Sequence, residues 1–400
     1  MASAKKATGD FILSFLGIIV YNGVLQFIVY PLLSRQLGDE AYGEVLYYIG
    51  IFSITSVALG LAAMNTRLVQ RNNYEISNGD GMVYNMAVLA VFTVFICGFL
   101  AFQKINIGDL IAVLIIQILM AIRYYSEVIH KMDVNFKKYL IYYVAVAIGY
   151  GAGIGIFMLA EHWWIPFILG ETAGIIYNFA FSDLKRQPFL PCVNLNKFAK
   201  STTPLLISYL LYYLVMHLDR IIIRNVLDSE SVGPYYTATL IGKTAAMVIA
   251  PLSGVIIGYI TKENTVITKK MFTKIIALSA GGGLAFFALT LIGTPIFTKL
   301  FYPDYYDSVM SIMVLVNFGQ VMCFVSELIL TIVLVFRNEK WQMIVQVIYA
   351  VVFFTTAILF VKSMGLIGMA VATAAANGLR LILASLLGYI GKDKPAEQNA

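Results

Sequence analysis

Seven ionisable residues stand inside stretches that are otherwise almost wholly apolar: Arg123, Glu127, Glu171, Asp219, Lys243, Glu327 and Arg380. Placing such a charge in hydrocarbon costs about 2.5–3.5 kcal/mol on insertion scales, so each must be paired or put to use. Arg123 and Glu127 are four positions apart, the spacing at which helical side chains meet. They read as a self-neutralised pair, or as a cation whose pairing loosens when an anion enters. Arg380 has no acidic residue three or four positions away. Asn377, three back, can hydrogen-bond it, and Glu171 or Glu327 on another helix is the alternative partner. Asp219 and Lys243 flank a turn and can reach similar depth, as a structural pair or as a gate. Glu171 and Glu327 have no local partner and read as proton carriers or as hydrogen-bonding groups between helices. His217, near the outer interface, reads as a proton relay or as an ordinary interfacial side chain.

Other chemistries lack their residues. His130, His162 and His217 show no metal-ligand spacing, and Cys97, Cys192 and Cys323 are too few and scattered for a disulfide framework or a metal site. No glycine-rich phosphate loop occurs, and no nucleophile sits beside a base.

The elements that must position the seven charges follow from composition. Of 400 residues, 60% are hydrophobic and 12% charged, against about 45–50% and 25% in soluble domains. Mean hydropathy is +0.81. A soluble enzyme, a nucleic-acid binder and a disordered scaffold are all excluded, and lipid is the expected solvent. Twelve apolar segments reach the roughly 20 residues a spanning helix needs. They cover about 10–34, 42–66, 81–103, 109–130, 139–160, 162–182, 203–225, 233–260, 272–300, 308–336, 341–362 and 366–391. Backbone polar groups in lipid must be satisfied within each segment, so an all-α polytopic protein is predicted. The run after Lys5 and Lys6 has no signal-peptide cleavage site and reads as a retained helix. With both termini cytoplasmic, nineteen basic residues fall in inside connections. Six fall outside: Arg35, Lys104, Arg220, Arg224, Lys299 and Lys362. That asymmetry is a positive-inside signal, so the net charge of +6 is mostly topology.

The spans divide into lobes at 1–182 and 203–400, joined by a cytoplasmic linker at 183–202. Leu37-Gly38-Asp39-Glu40-Ala41-Tyr42-Gly43 matches Leu227-Asp228-Ser229-Glu230-Ser231-Val232-Gly233. Ser126-Glu127 matches Ser326-Glu327, and Lys138-Tyr139 matches Lys340-Trp341. The matches keep their order, as an internal repeat requires. Six helices per lobe make the repeats parallel, related by a pseudo-two-fold axis along the membrane normal. Asn22 with Gln26 and Asn317 with Gln320 read as hydrogen bonding between helices or as sugar-binding groups. The tyrosine doublets Tyr47-Tyr48, Tyr124-Tyr125, Tyr142-Tyr143, Tyr212-Tyr213 and Tyr235-Tyr236 read by default as interfacial belts. Gly149, Gly151, Gly153 and Gly155 read as helix-packing positions, and Pro251 and Pro295 as kinks.

Pro31-Leu32-Leu33-Ser34-Arg35-Gln36-Leu37-Gly38-Asp39-Glu40-Ala41-Tyr42-Gly43 resembles the end of the first helix and first loop of polysaccharide flippases. These are the O-antigen-type transporters of the multidrug/oligosaccharidyl-lipid/polysaccharide (MOP) exporter superfamily. Leu218-Asp219-Arg220 with Val232-Gly233-Pro234-Tyr235-Tyr236-Thr237-Ala238 is similar to that family's second-half opening, and Gly365-Leu366-Ile367-Gly368-Met369-Ala370-Val371-Ala372-Thr373 to its last helix. The resemblance implies a MOP/MATE-like fold in a bacterial inner membrane. It implies transfer of undecaprenyl-pyrophosphate-linked oligosaccharide repeat units to the periplasmic leaflet by alternating access, without enzymatic chemistry or cofactor but with coupling to H+ or Na+. Arg380, Lys243 and Arg123 become the expected substrate contacts, because a guanidinium fork matches a pyrophosphate. Asp219, Glu171, Glu327 and Glu127 become gating or ion-coupling residues. A polysaccharide polymerase and a chain-length regulator are the expected protein partners, membrane lipid surrounds the chain, and nucleic acid is not a partner. A twelve-helix count argues against the fourteen-helix lipid II flippases. A drug/cation antiporter of the same superfamily is the alternative, disfavoured by three membrane cations. A membrane polymerase or ligase is disfavoured by the short outside loops.

Overall fold

The computed structural model describes residues 2–71, 73–182, 184, 189–244, 268–336 and 339–390. Among these residues there are helices and turns but no strand. The first helix, α1, runs from Ala2 to Leu37 and passes through a π turn at Leu25–Val29. It is followed by α2 (Asp39–Gln70), α3 (Asn78–Phe102), α4 (Ile107–Ser126, continued by Val128–Met132), α5 (Phe136–Ala160) and α6 (Ile165–Phe181). The second half begins with α7 (Leu195–Val226), then α8, described over 232–244, α9 (Lys269–Phe301) and α10 (Tyr306–Phe336). A continuous helical run, Glu339–Ile390, supplies the last two helices. It breaks at Gly365, which has φ 61° and ψ −138°. A Cβ on Gly368 would lie 1.9 Å from the carbonyl oxygen of Phe360. Eight residues along a straight helix span about 12 Å, so the chain reverses at Gly365. We name the two arms α11 (339–364) and α12 (366–390).

The protein is an all-α, polytopic membrane protein. Nine helices among the described residues are long and apolar enough to span a bilayer, with Ile344–Ile390 counted once and Ile165–Phe181 shorter. A helix lies at each of the twelve predicted positions, the eighth over its first part only. Pro251 lies outside the described residues, while Pro295 falls within α9, and Pro204 within α7 was not anticipated as a kink. The distribution of side chains is that of a protein dissolved in lipid. Phe95, Phe102, Leu159 and Leu284 are exposed, whereas Arg123, Glu171, Gln117 and Asn178 are buried.

Packing divides the chain into two compact units, Met1–Ile221 and Ile222–Ala400. The boundary falls within α7, whereas the six-and-six lobes follow topology. In the first unit Phe198 and Leu206 of α7 join Ala58, Leu59 and Ala62 of α2, Leu89 of α3 and Tyr125 of α4 in one core. The connection read as a linker is fastened to the first unit as well. Ser77 Oγ donates to the Pro191 carbonyl at 2.7 Å, Asn194 N to Asp80 Oδ1 at 3.0 Å and Asn194 Nδ2 to the Glu75 carbonyl at 3.0 Å. Ser77 and Asp80 also cap α3 reciprocally, satisfying two N–H groups that a helix start leaves open.

Close helix contact rests on residues without side chains. Gly149 and Gly153 of α5 face α6, where a Cβ would meet Leu169 O or Pro166 Cα at 2.7 and 2.4 Å, while Gly151 and Gly155 face open space. Only half of that alternation is helix packing. In the second unit Gly319 of α10 meets Ala374 of α12, and Gly378 of α12 meets Met322. These contacts advance together along both chains, so α10 and α12 run parallel.

Gly365→Ala imposes a left-handed backbone on a residue with a Cβ, a strain on the order of 1–3 kcal/mol, and Gly368→Ala collides with Phe360. Both should lower the unfolding temperature of the purified protein in detergent. Gly281→Ala, which meets nothing within 4 Å, should leave it unchanged.

Candidate functional site

Arg123 lies on α4, one helix turn before the junction at Glu127 where Ile107–Ser126 gives way to Val128–Met132. α6 can lie close because Gly174 stands opposite, with its Cβ position 3.0 Å from Arg123 Cδ. That approach places Glu171 against the guanidinium. Arg123 Nε donates to Glu171 Oε2, and Nη1 donates to Glu127 Oε1 at 3.2 Å and to Tyr142 Oη at 2.8 Å. Arg123 and Glu171 are fully buried, and Glu127 is 2% exposed. The rings of Tyr124 and Tyr21 lie 4.2 and 5.2 Å from the guanidinium carbon, adding cation–π attraction in a dry site. Arg123 Nη2 has no hydrogen-bond partner among the described residues.

The carboxylates are supplied mainly by tyrosines. Tyr139 donates to Glu127 Oε2 at 2.9 Å, and Tyr142 and Tyr143 donate to Oε1 at 3.2 and 3.3 Å. Tyr150 donates to Glu171 Oε1 at 2.7 Å. Gly170 leaves the space for the Tyr150 ring, whose Cδ2 would lie 2.1 Å from a Cβ there. Tyr139, Tyr143 and Tyr150 follow one another at intervals of four and seven, one face of α5. That stripe is the signal from which the donors could have been found. The belt expectation is corrected for Tyr142 and Tyr143, and also for Tyr47, Tyr125 and Tyr235, all of which are buried. A second chain of polar groups leads from the same place. Ser126 Oγ donates to Arg123 O, Asn178 Nδ2 to Ser126 Oγ, and Asn178 Oδ1 lies 2.7 Å from His130 Nε2.

The second unit repeats the design with the charges exchanged. Arg380 on α12 donates through Nη2 to Glu327 of α10 and through Nη1 to Cys323 Sγ at 3.6 Å, with the Tyr349 ring 5.1 Å away. Arg380 is therefore paired, and both Glu171 and Glu327 have found cations on neighbouring helices. The expected Asn377–Arg380 hydrogen bond is not formed: Asn377 Oδ1 and Arg380 Nε are both buried without a hydrogen-bond partner among the described residues. Each side chain instead follows the packing of α12 on α10. Glu327 is 30% exposed, unlike the carboxylates of the first unit.

Lys243 is half-buried on α8. Its neighbour Gly242 packs on Asn317 and Gln320 of α10, and its charge is felt at Cys323, so Lys243 belongs to the Glu327–Arg380 neighbourhood. Asp219 sits on α7 in the first unit, with Oδ1 accepting from Arg220 N at 2.8 Å. Asn317 Nδ2 donates to Thr294 Oγ1 at 3.2 Å and Ala238 O at 3.4 Å, the predicted hydrogen bonding between helices. Asn22 Nδ2 instead donates within its own helix, to Ile18 O at 2.9 Å. No group of three or more His, Cys, Asp and Glu among the described residues is arranged to hold a metal ion.

The family described as polysaccharide biosynthesis protein matches residues 9–264, more than half of the chain. The chain belongs to that family. No curated protein matches it in sequence. Its fold is shared with the lipid II flippase MurJ in an inward closed conformation, at TM-score 0.71 and 14% identity, covering 95% of this chain and 86% of that one. An inward-facing multidrug resistance MATE family transporter of the MOP superfamily superimposes at TM-score 0.65 and 14% identity over 93% and 94% of the two chains. The Vibrio cholerae MATE transporter VcmN in its bent form does so at 0.60 and 12% identity over 96% and 97%. The MOP superfamily resemblance and the MATE-like fold are thus both borne out.

Arg123→Leu leaves two buried carboxylates without their cation and should cost about 3–5 kcal/mol. Arg380→Leu should cost less, because it leaves one carboxylate, 30% exposed, where Arg123→Leu leaves two buried ones. Unfolding temperatures of the two variants in detergent should fall in that order.

Proposed function

We propose that this member of the polysaccharide biosynthesis family flips undecaprenyl-pyrophosphate-linked oligosaccharide repeat units, of an O-antigen or a similar surface polysaccharide, from the cytoplasmic to the periplasmic leaflet. Family membership carries the reading, and the fold shared with a lipid II flippase supports it. The pyrophosphate needs charge compensation in the membrane and the polyprenyl tail does not. Arg123, Lys243 and Arg380 are the cations available for it. Arg123 Nη2 and Arg380 Nε have no hydrogen-bond partner among the described residues, and such a donor is the kind of group a phosphate oxygen takes up when an ion pair opens.

In this reading the headgroup passes by alternating access, Glu127, Glu171, Asp219 and Glu327 gate the cations or couple the cycle to H+ or Na+, and no bond is made or broken. The protein works in the bacterial inner membrane with both termini cytoplasmic, handing its product to a polymerase under a chain-length regulator. Export of organic cations by a drug/cation antiporter, the alternative reading, is disfavoured by the same three cations.

The test is complementation of a flippase-deficient strain that makes the matching repeat unit. The wild-type gene should restore surface glycan. Lys243→Ala, which breaks no ion pair between α10 and α12, should reduce it at least ten-fold at unchanged membrane abundance. Arg380→Gln with Glu327→Gln, which removes the pair as neutral groups, should do the same. Full export by both variants would remove Lys243 and Arg380 from the mechanism.

A further inference from the structure

The site in the first unit carries an odd charge. Arg123 supplies one positive charge, Glu127 and Glu171 two negative ones, and both carboxylates are buried. The remaining cation in contact is Lys131, whose Nζ lies 3.8 Å from Glu127 Oε2 and also touches Met64 Sδ of α2 at 3.2 Å. Lys131 is 28% exposed, so its pairing is screened and weak. With Lys131 swung away, one negative charge stays in a medium that does not tolerate it.

We propose that Glu127 is a proton-binding site that loads from the end of α4 marked by Lys131 and His130. The proposal deepens the ion-coupled flippase reading and rests on it for the coupling alone. The hydroxyl geometry provides for both charge states. In the ionised state Tyr139 donates to Glu127 Oε2, and Tyr142, Tyr143 and Arg123 donate to Oε1. Tyr139 and Tyr143 are also 3.1 Å apart, and either can donate to the other. When a proton from water binds Oε2, the Tyr139 hydrogen turns to Tyr143 Oη and Tyr139 Oη accepts from the new carboxyl O–H. Tyr143 goes on donating to Oε1, so the ring of hydrogen bonds closes with one proton gained and none displaced.

Glu171 has no such alternative. Its donors are Arg123 Nε and Tyr150, and it lies wholly within the unit, in contact with no exposed charge. Sodium is a poorer occupant than a proton of either carboxylate, since the Arg123 guanidinium is already paired with both and repels a second cation. The other groups facing Glu127 fit a proton. Tyr21 of α1 and Tyr124 cover the guanidinium. Tyr213 of α7 and His130 feel the charge of Glu127. His130 packs on Tyr139, Tyr142 and, from α6, Tyr177, with Lys138 and Asp133 beyond it. The 133–135 turn next to Lys131 is on the predicted cytoplasmic side, so loading from the cytoplasm is expected.

Infrared difference spectra of the purified full-length protein in lipid nanodiscs, recorded against pH, read the carboxyl directly. The chain has 22 Asp and Glu, so the protonated-carboxyl band grows as pH falls in every variant, and the signal is one component of it. Glu127→Gln should remove a component that Glu171→Gln leaves in place. Lys131→Gln, at a half-buried position on the end of α4, removes a charge that favours the carboxylate. It should move the midpoint to higher pH, raising proton affinity by up to about five-fold. Spectra of Glu127→Gln that lose no component relative to the wild type, an unmoved midpoint of that component in Lys131→Gln, or sodium-dependent spectra without pH dependence would overturn the proposal. The expected spectra from a protein that flips no lipid would support the proton site and defeat the flippase reading instead.

Discussion

A guanidinium buried away from the surface must be held by protein, and Arg123, fully buried, is held from three helices. Its own helix offers Glu127, α6 offers Glu171 and α5 offers Tyr142. Leaving any of these groups alone in a low-dielectric interior costs more than a typical single contact returns. The small residues follow from this demand. Gly174 lets α6 approach Arg123, Gly170 admits the ring of Tyr150, and Gly60 of α2, whose Cβ would lie 2.5 Å from Tyr124 Cβ, admits the tyrosine that covers the cation. In lipid the hydrophobic effect does not draw helices together, so close packing and satisfied polar groups must do so.

The two units apply one scheme with opposite polarity. In the first, arginine is on the fourth helix and glutamate on the sixth; in the second, glutamate is on the tenth and arginine on the twelfth. Ser126-Glu127 and Ser326-Glu327 mark the corresponding turns, and Cys323 stands where the repeat has Arg123. The units differ in what surrounds the pair. The first is sealed by tyrosines, whereas the second leaves Glu327 30% exposed, with Asn377 Oδ1 and Arg380 Nε lacking a hydrogen-bond partner among the described residues. A sealed pair suits a small exchangeable ion, and an open one suits exchange with a larger anion.

Much of this was legible in the residues. Apolar length located the helices of the described residues because a bilayer fixes the span, and four-residue spacing identified Arg123 with Glu127 because helix geometry is local. Glu171 with Arg123 and Glu327 with Arg380 were not assignable, since partners about fifty residues apart are chosen by which helices pack side by side. The tyrosines of α5 were misread for a related reason. A doublet such as Tyr142-Tyr143 marks an interface by composition, and only the neighbouring carboxylate on α4 turns the same hydroxyls inward. Glycine spacing was ambiguous too, because Gly151 and Gly153 differ only in the face they present.

The central claim is that this chain carries a pyrophosphate-linked sugar lipid across the bilayer. Its most direct measurement is flipping of a fluorescent polyprenyl-pyrophosphoryl oligosaccharide in proteoliposomes, read by quenching from outside. The account predicts that label protected in the inner leaflet becomes quenchable when the wild-type protein is present, and stays protected with Lys243→Ala. A protected fraction equal to that of protein-free vesicles, with correctly folded protein in the membrane, would contradict it.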